Sequence, residues 1–321
     1  MNRGASLFAL LAFGTFCTSS TIAMAAHSTI YSAPDKSVAI LGGVGYTWLK
    51  GNELAYDEVG NRISKLIWET GAPVLTTGVK AEVWNNWIIS ANAVFGFSGN
   101  SHMEDYDWLA PSFAERDWSD QSIHPDTRLD RYIDLDMAAG PDFVINDATV
   151  INLHGGVKYT NMTWKAYGGS YIYSGDGFRD DRGEFPDGEP GIDYEQRYFG
   201  LFLGAEATTT LGNLTLSGLL RSGLTVDASA VDDHWRRELR GLRFQDDFFT
   251  VPFISAGAKI DYQMTDRASV FLAANGDKYF RKKGYETTYN IASGQQQGVD
   301  KDSAGMDFYA FTLRAGFELT F

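Results

Sequence analysis

The last eleven residues alternate without a break. Phe311, Leu313, Ala315, Phe317, Leu319 and Phe321 fall on one side, and Thr312, Arg314, Gly316, Glu318 and Thr320 on the other. A period of two belongs to an extended strand with one apolar and one polar face. The pattern recurs at Trp87, Ile89, Ala91, Ala93, Phe95 and Phe97, and at Leu201, Leu203, Ala205 and Ala207. Large apolar and aromatic side chains facing out, with polar residues and glycine facing in, suit a wall between lipid and a polar lumen. A soluble sandwich also alternates, but an apolar face closing on Phe321 favours the barrel. After the N-terminal segment no run reaches the ~18 apolar residues that a spanning helix needs. The chain therefore reads as all-β.

Turn chemistry gives the strand number. Short turns are expected at Asn85-Asn86, Asn146-Asp147, Gly212-Asn213 and Thr265-Asp266. Long polar stretches lie at 51–61, 98–130, 167–196, 224–247 and 276–307. Four short turns and five long loops make nine connections and ten antiparallel strands, an even number with loops long at one end only. The reading is a ten-stranded transmembrane β-barrel with short periplasmic turns, long extracellular loops and both termini in the periplasm. Segment 149–167 would run ~60 Å before tilt against a lipid band of ~25 Å, so the strands should rise well above the membrane. Gly42-Gly43-Val44-Gly45 lies in a strand with no helix after it, which argues against a phosphate loop.

The N-terminus reads as a signal peptide over residues 1–25, leaving 26–321 as one barrel. Arg3 is the positive end, Ala5 to Phe16 are mostly apolar, and Ala23-Met24-Ala25 fits a small-x-small cleavage site. Phe16 before Cys17 argues against lipidation. Cleavage would remove Arg3 and no acid, taking the net charge from −14 to −15, and would remove the only cysteine. A mature chain without thiol has neither disulfide nor cysteine nucleophile. Its acidity disfavours nucleic acid and favours cationic partners.

Two short pairings carry chemistry: Asp105-Tyr106-Asp107 and Asp232-Asp233-His234. Residues i and i+2 of a strand share a face. One strand can thus aim two carboxylates inward, and another a carboxylate and an imidazole, with Tyr106 and Asp233 turned away. Both pairs fall in expected extracellular loops. His234 could take a proton from water while Asp232 orients its ring. Asp105 and Asp107 could hold the water from the opposite wall, one of them staying protonated beside the other. Solvated acidic loops and a metal site are the alternatives from spacing alone, although His-Glu-x-x-His and Gly-x-Ser-x-Gly are absent.

Three longer runs go further. Trp118-Ser119-Asp120-Gln121-Ser122-Ile123-His124-Pro125-Asp126-Thr127 resembles the signature of the omptin family of outer-membrane endopeptidases, with Ser119 where Thr is usual. Gly168-Gly169-Ser170-Tyr171-Ile172-Tyr173-Ser174, then Gly177 to Asp181 and Phe185 to Glu189, is similar to another omptin stretch. Lys282-Lys283-Gly284 resembles the last loop. The resemblance covers nearly all of 26–321. It implies a ten-stranded barrel, Asp105 and Asp107 as the aspartate couple, and Asp232 and His234 as the Asp-His dyad. It implies peptide-bond hydrolysis by an activated water, with His234 as general base, no acyl-enzyme and no metal or cofactor.

The resemblance also carries departures. Omptins prefer a basic residue before the scissile bond, read by two acidic groups. Glu53 matches the first, and Ala230 stands at the second, with a one-residue insertion near Asp227 blurring the register. Preference for Arg or Lys should therefore weaken or shift. Omptins bind lipopolysaccharide on the outer wall. Arg197 is retained there, whereas Tyr159 and Asn161 stand where Glu and Arg are common. His124 is expected to shape the signature loop. His102 and His154 give no functional signal, and Arg236, Arg237, Arg240 and Arg243 form a basic series that reads as charge balance. The expected partners are cationic peptides or proteins and outer-membrane lipid, with a monomeric barrel steering substrate by its acidic rim. The rival expectation is a non-enzymatic adhesin or binding barrel that kept the fold.

Overall fold

The computed structural model describes residues 38–84, 86–109, 117–236 and 241–321. The expected signal peptide, Asn85, Arg237 and Arg240 lie outside them. Among the described residues the regular structure is all strand: β1 (Val38–Tyr56), β2 (Arg62–Trp84), β3 (Trp87–Gly96), β4 (Asn100–Asp107), β5 (Asp120–Asn146), β6 (Thr149–Tyr173), β7 (Asp181–Leu211), β8 (Leu214–His234), β9 (Leu242–Asp247), β10 (Pro252–Thr265), β11 (Ala268–Asn290) and β12 (Gln296–Thr320). All neighbours are antiparallel, and the sheet closes because β1 pairs with both β12 and β2.

Twelve segments occupy ten wall positions among the described residues. β3 and β4 both lie between β2 and β5, one above the other, and β9 and β10 share the place between β8 and β11. The upper break falls at Phe97–Gly99, where Ser98 takes φ 58°. A Cβ on Gly99 would stand 2.6 Å from the Gly71 carbonyl oxygen, so the backbone crosses there too closely for a side chain. The second break contains Phe249 at φ 55°.

The expected short turns sit between β2 and β3, β5 and β6, β7 and β8, and β10 and β11. The expected long loops are mostly strand instead. Stretch 51–61 leaves only 57–61 outside β1 and β2, and 276–307 leaves only 291–295 outside β11 and β12. β7 alone has 31 residues, ~105 Å of strand before tilt, against an apolar band of ~25 Å. The upper strands read as loops because neither face meets lipid, so the apolar half of the alternation is lost.

The outward face carries the lipid belt: Val44, Trp48, Leu75, Phe95, Met137, Leu203, Leu220, Leu272, Phe317 and Phe321 are all exposed. The bore is filled in tiers whose order follows from the register. Lowest comes a charged tier. Lys158 donates to Asp134 at 2.7 Å and lies 3.2 Å from Asp277, while Arg221 meets Asp136 at 3.0 Å and Lys259 meets Glu318 at 2.6 Å. Above it is an aromatic plug. Trp68 stacks on Tyr194 with centroids 5.6 Å apart and on Trp164 at 6.0 Å, and Tyr198 stacks on Tyr279 at 4.1 Å. These rings are fully buried. Trp164 Nε1 donates to Thr70 Oγ1 at 2.7 Å, which satisfies the indole inside the plug. The plug is the floor on which the upper cleft rests.

Candidate active site

β4 alternates in its burial. Ser101 and Met103 point into the bore, and Asp105 and Asp107 follow them on that face. Tyr106 points out, where its hydroxyl donates to Glu104 at 2.8 Å and its ring meets Trp118 edge-on. On the facing wall, Ala228, Ala230 and Asp232 are buried inward on β8 and His234 continues the row. The insertion near Asp227 is a β-bulge. Phe199 pairs with Asp227 and Gly200 with Thr225, so Val226 is skipped. The bulge resets the face, and without it Ala230, Asp232 and His234 would point outward.

Asp105, Asp107 and His234 line one cavity of about 440 Å³, together with Asp120, Ser122, His124, Tyr173, Phe185 and Arg236. His234 Nε2 and Asp232 Oδ2 are 2.5 Å apart, a short charge-assisted hydrogen bond, with Asp232 almost fully buried behind the ring. Phe244 of β9 meets the imidazole edge-on at 5.5 Å. Asp233 faces the other way and accepts both Arg243 Nε and Nη2 at 2.7 Å. Asp232 therefore has the imidazole and Asp233 the guanidinium, as the alternation requires.

The cavity walls are electrostatically shaped. Burial, then the carboxylates of Asp105 and Asp107, push the Tyr173 phenol well above its ordinary value. Burial holds His124 down at about 4, so its ring is neutral near pH 7. His124 Nε2 lies 3.0 Å from Ser122 Oγ, and the ring stacks on Phe185 at 5.3 Å. His124 thus lines the cavity as a neutral, packed side chain.

The remaining sequence-marked residues lie elsewhere. Glu53 is buried on the inner face of β1, below the cavity and beside the plug. Arg197 lies on the outer wall. Its guanidinium meets Glu195 at 3.0 Å, and Asn161 donates to the same Oε1 at 2.8 Å. His102 pairs with Glu104 at 2.9 Å, and His154 lies between Asn152 and Arg221 in the bore. Arg236 meets Glu189 at 2.6 Å. Asp246, a buried acid that the sequence pattern does not mark, stands on the inner face of β9 directly across from Ala230. Its only signal is the alternation Leu242, Phe244, Asp246 within a stretch that reads as loop.

Comparison with known proteins agrees with this architecture. The omptin family model matches residues 34–321. Protease 7 of Escherichia coli (strain K12) is 27% identical over 308 residues, 92% of this chain and 94% of that protein. The plasminogen activator of Yersinia pestis is 26% identical over 292 residues, 90% of this chain and 91% of the relative. The crystal structure of outer membrane protease OmpT from Escherichia coli superposes with a TM-score of 0.83 at 25% identity, covering 89% of this chain and 97% of that one.

Proposed function

Because the chain belongs to the omptin family, as a match over residues 34–321 establishes, we propose that it is an outer-membrane endopeptidase that hydrolyses exposed cationic peptides and proteins. The observation that carries this reading is the Asp232–His234 bond of 2.5 Å beside a cavity that Asp105 and Asp107 also line. A water between the two walls is the nucleophile. His234 takes its proton as the water attacks the peptide carbonyl, and Asp232 stabilises the imidazolium that results. The Asp105–Asp107 couple, one carboxyl protonated, holds the water and the developing oxyanion. The proton then passes to the leaving amine, and no covalent intermediate forms. The cleft opens on the extracellular side, where strands extend beyond the lipid belt, and the acid-rich rim steers cationic substrate into it.

In the same reading lipopolysaccharide contacts Arg197 on the outer wall. That guanidinium already pairs with Glu195, so the lipid contact is weaker than a free arginine would give. His234→Ala should lower cleavage of an Arg-containing peptide by whole cells at least ~10²-fold, the scale of a lost general base. Full cleavage by a variant that still assembles in the membrane would overturn the dyad. A parallel assay of refolded protein with and without lipopolysaccharide reads the lipid contribution.

A further inference from the structure

The dyad and the aspartate couple leave one wall of the cavity without a part in the chemistry. Ser122 and His124 of β5 and Tyr173 of β6 line it beside Asp105, Asp107 and His234. The register explains why they meet there. Asp105 pairs with Ser122, and Ser122 pairs with Tyr171, so the three share a face. Tyr173 lies two residues beyond Tyr171 and returns to that face. It is also the last residue of β6, and the chain is tied down directly after it. The Ser174 backbone N–H donates to Asp120 Oδ1 at 2.9 Å, and the Ser174 hydroxyl donates to the Ser119 carbonyl at 2.8 Å. A row of rings braces the side chain. Tyr173 stacks on Tyr171 at 4.6 Å, Tyr171 packs on Phe185 at 5.1 Å, and Phe185 stacks on His124.

A line of hydrogen bonds runs through the same residues. His124 Nε2 lies 3.0 Å from Ser122 Oγ, and Ser122 is hydrogen-bonded in turn to the Tyr173 phenol. His124 Nδ1 is buried and makes no aligned hydrogen bond, although the Gly168 carbonyl stands near the ring. A buried N–H is left unpaired less readily than a buried lone pair, so the neutral ring carries its proton on Nε2. Donation then runs from Nε2 to Oγ, and from the serine hydroxyl to the phenol oxygen. The phenol proton is left for the cavity.

We propose that Tyr173 is a further catalytic residue, donating a hydrogen bond to the oxyanion that forms when water adds to the substrate carbonyl, and that Ser122 and His124 are positioning residues that keep its proton aimed there. A preset donor at developing charge stabilises the transition state more than the bound substrate. Burial first, then the negative charges of Asp105, Asp107 and Asp120, keep the phenol protonated. It therefore remains a donor at every pH at which His234 acts as base. No proton leaves it. The water's proton goes to His234 and on to the leaving amine, and Tyr173 ends the turnover unchanged. This inference rests on the endopeptidase reading above and adds a donor to the aspartate couple.

The test uses refolded full-length protein in lipid and one peptide that wild type cleaves. Tyr173→Phe keeps the ring and its stacking and removes the hydroxyl. It should lower kcat ~10²-fold, the scale of one lost oxyanion donor, with KM unchanged. The limbs of the pH profile should stay where they are, because the phenol does not titrate in that range. Ser122→Ala should lower kcat about tenfold in the wild-type background, the scale of one hydrogen bond, and should cause no further loss in Tyr173→Phe. A kcat in folded Tyr173→Phe within about twofold of wild type, or a loss carried by KM, overturns the donor and leaves the peptidase reading standing. Losses that multiply in the double variant overturn the positioning chain. A wild type that cleaves no peptide overturns both readings.

Discussion

At the scale of single residues, what a strand sequence reveals is which face a side chain takes. The pairs Asp105/Asp107 and Asp232/His234 were legible because i and i+2 must share a face wherever the chain is extended. Asp246 was not legible, because its meaning comes from a partner on another strand. Only the register that sets it across from Ala230 shows that an acid in an apparent loop is buried on the inner face. His124 is intermediate. Its motif marks it, yet only its burial and its stacking on Phe185 reveal how it behaves. With a folded value of about 4 against an unfolded value near 6.5, the unfolded chain binds a proton that the folded chain refuses. The unfolded state is therefore favoured as pH falls from ~6.5 towards 4, by at most ~3 kcal/mol. His124→Gln should remove that penalty. Urea unfolding from lipid vesicles at pH 7 and pH 5 checks this, with a smaller acid-induced drop expected in the variant than in wild type.

At the scale of elements, the ten wall positions were countable from turn chemistry, but the strand ends were not. Turns such as Gly212-Asn213 punctuate the sequence wherever the wall reverses near the membrane. Above the lipid belt the same wall continues in polar residues, so strand β4 and the upper halves of β7 and β12 carry no apolar stripe. The breaks that divide β3 from β4 and β9 from β10 leave two short segments held by neighbours on both sides: β4, of eight residues, carries Asp105 and Asp107, and β9, of six, packs Phe244 against His234. The hinge at Gly99 is the sensitive point. Its missing side chain lets the backbone pass the Gly71 carbonyl and Ala72, where a Cβ would meet atoms at 2.6 and 2.8 Å. Gly99→Ala should destabilise the upper barrel by ~1–3 kcal/mol, the cost of overpacking against backbone. It should also lower kcat, because β4 carries Asp105 and Asp107. Loss of heat resistance on gel electrophoresis together with reduced kcat is expected. A variant as heat-resistant and active as wild type would remove Gly99 from this role.

At the scale of the whole molecule, the barrel is a cylinder whose contents change with height: paired charges, then stacked rings, then an open cleft lined by acids and two imidazoles. A ten-stranded wall encloses too little space to leave a channel once large side chains enter it. The two lower tiers fill that space and brace the walls that carry the dyad and the aspartate couple. The division of labour predicts that the tiers separate experimentally. Lys158 is 4% exposed and bridges Asp134 on β5 to Asp277 on β11, across the bore. Lys158→Met leaves two carboxylates buried without their cation, a loss of ~3–5 kcal/mol. Replacing Asp134 and Asp277 by asparagine in the same chain removes those charges and should recover most of the loss. Because the aromatic plug stands between this tier and the cleft, kcat and KM of whatever fraction remains folded should match wild type. Unfolding free energies in lipid vesicles, measured beside steady-state kinetics on the same preparations, separate the two effects. A fall in kcat of the folded fraction that tracks the fall in stability would mean that the charged tier and the cleft move as one body, and that the plug does not insulate them.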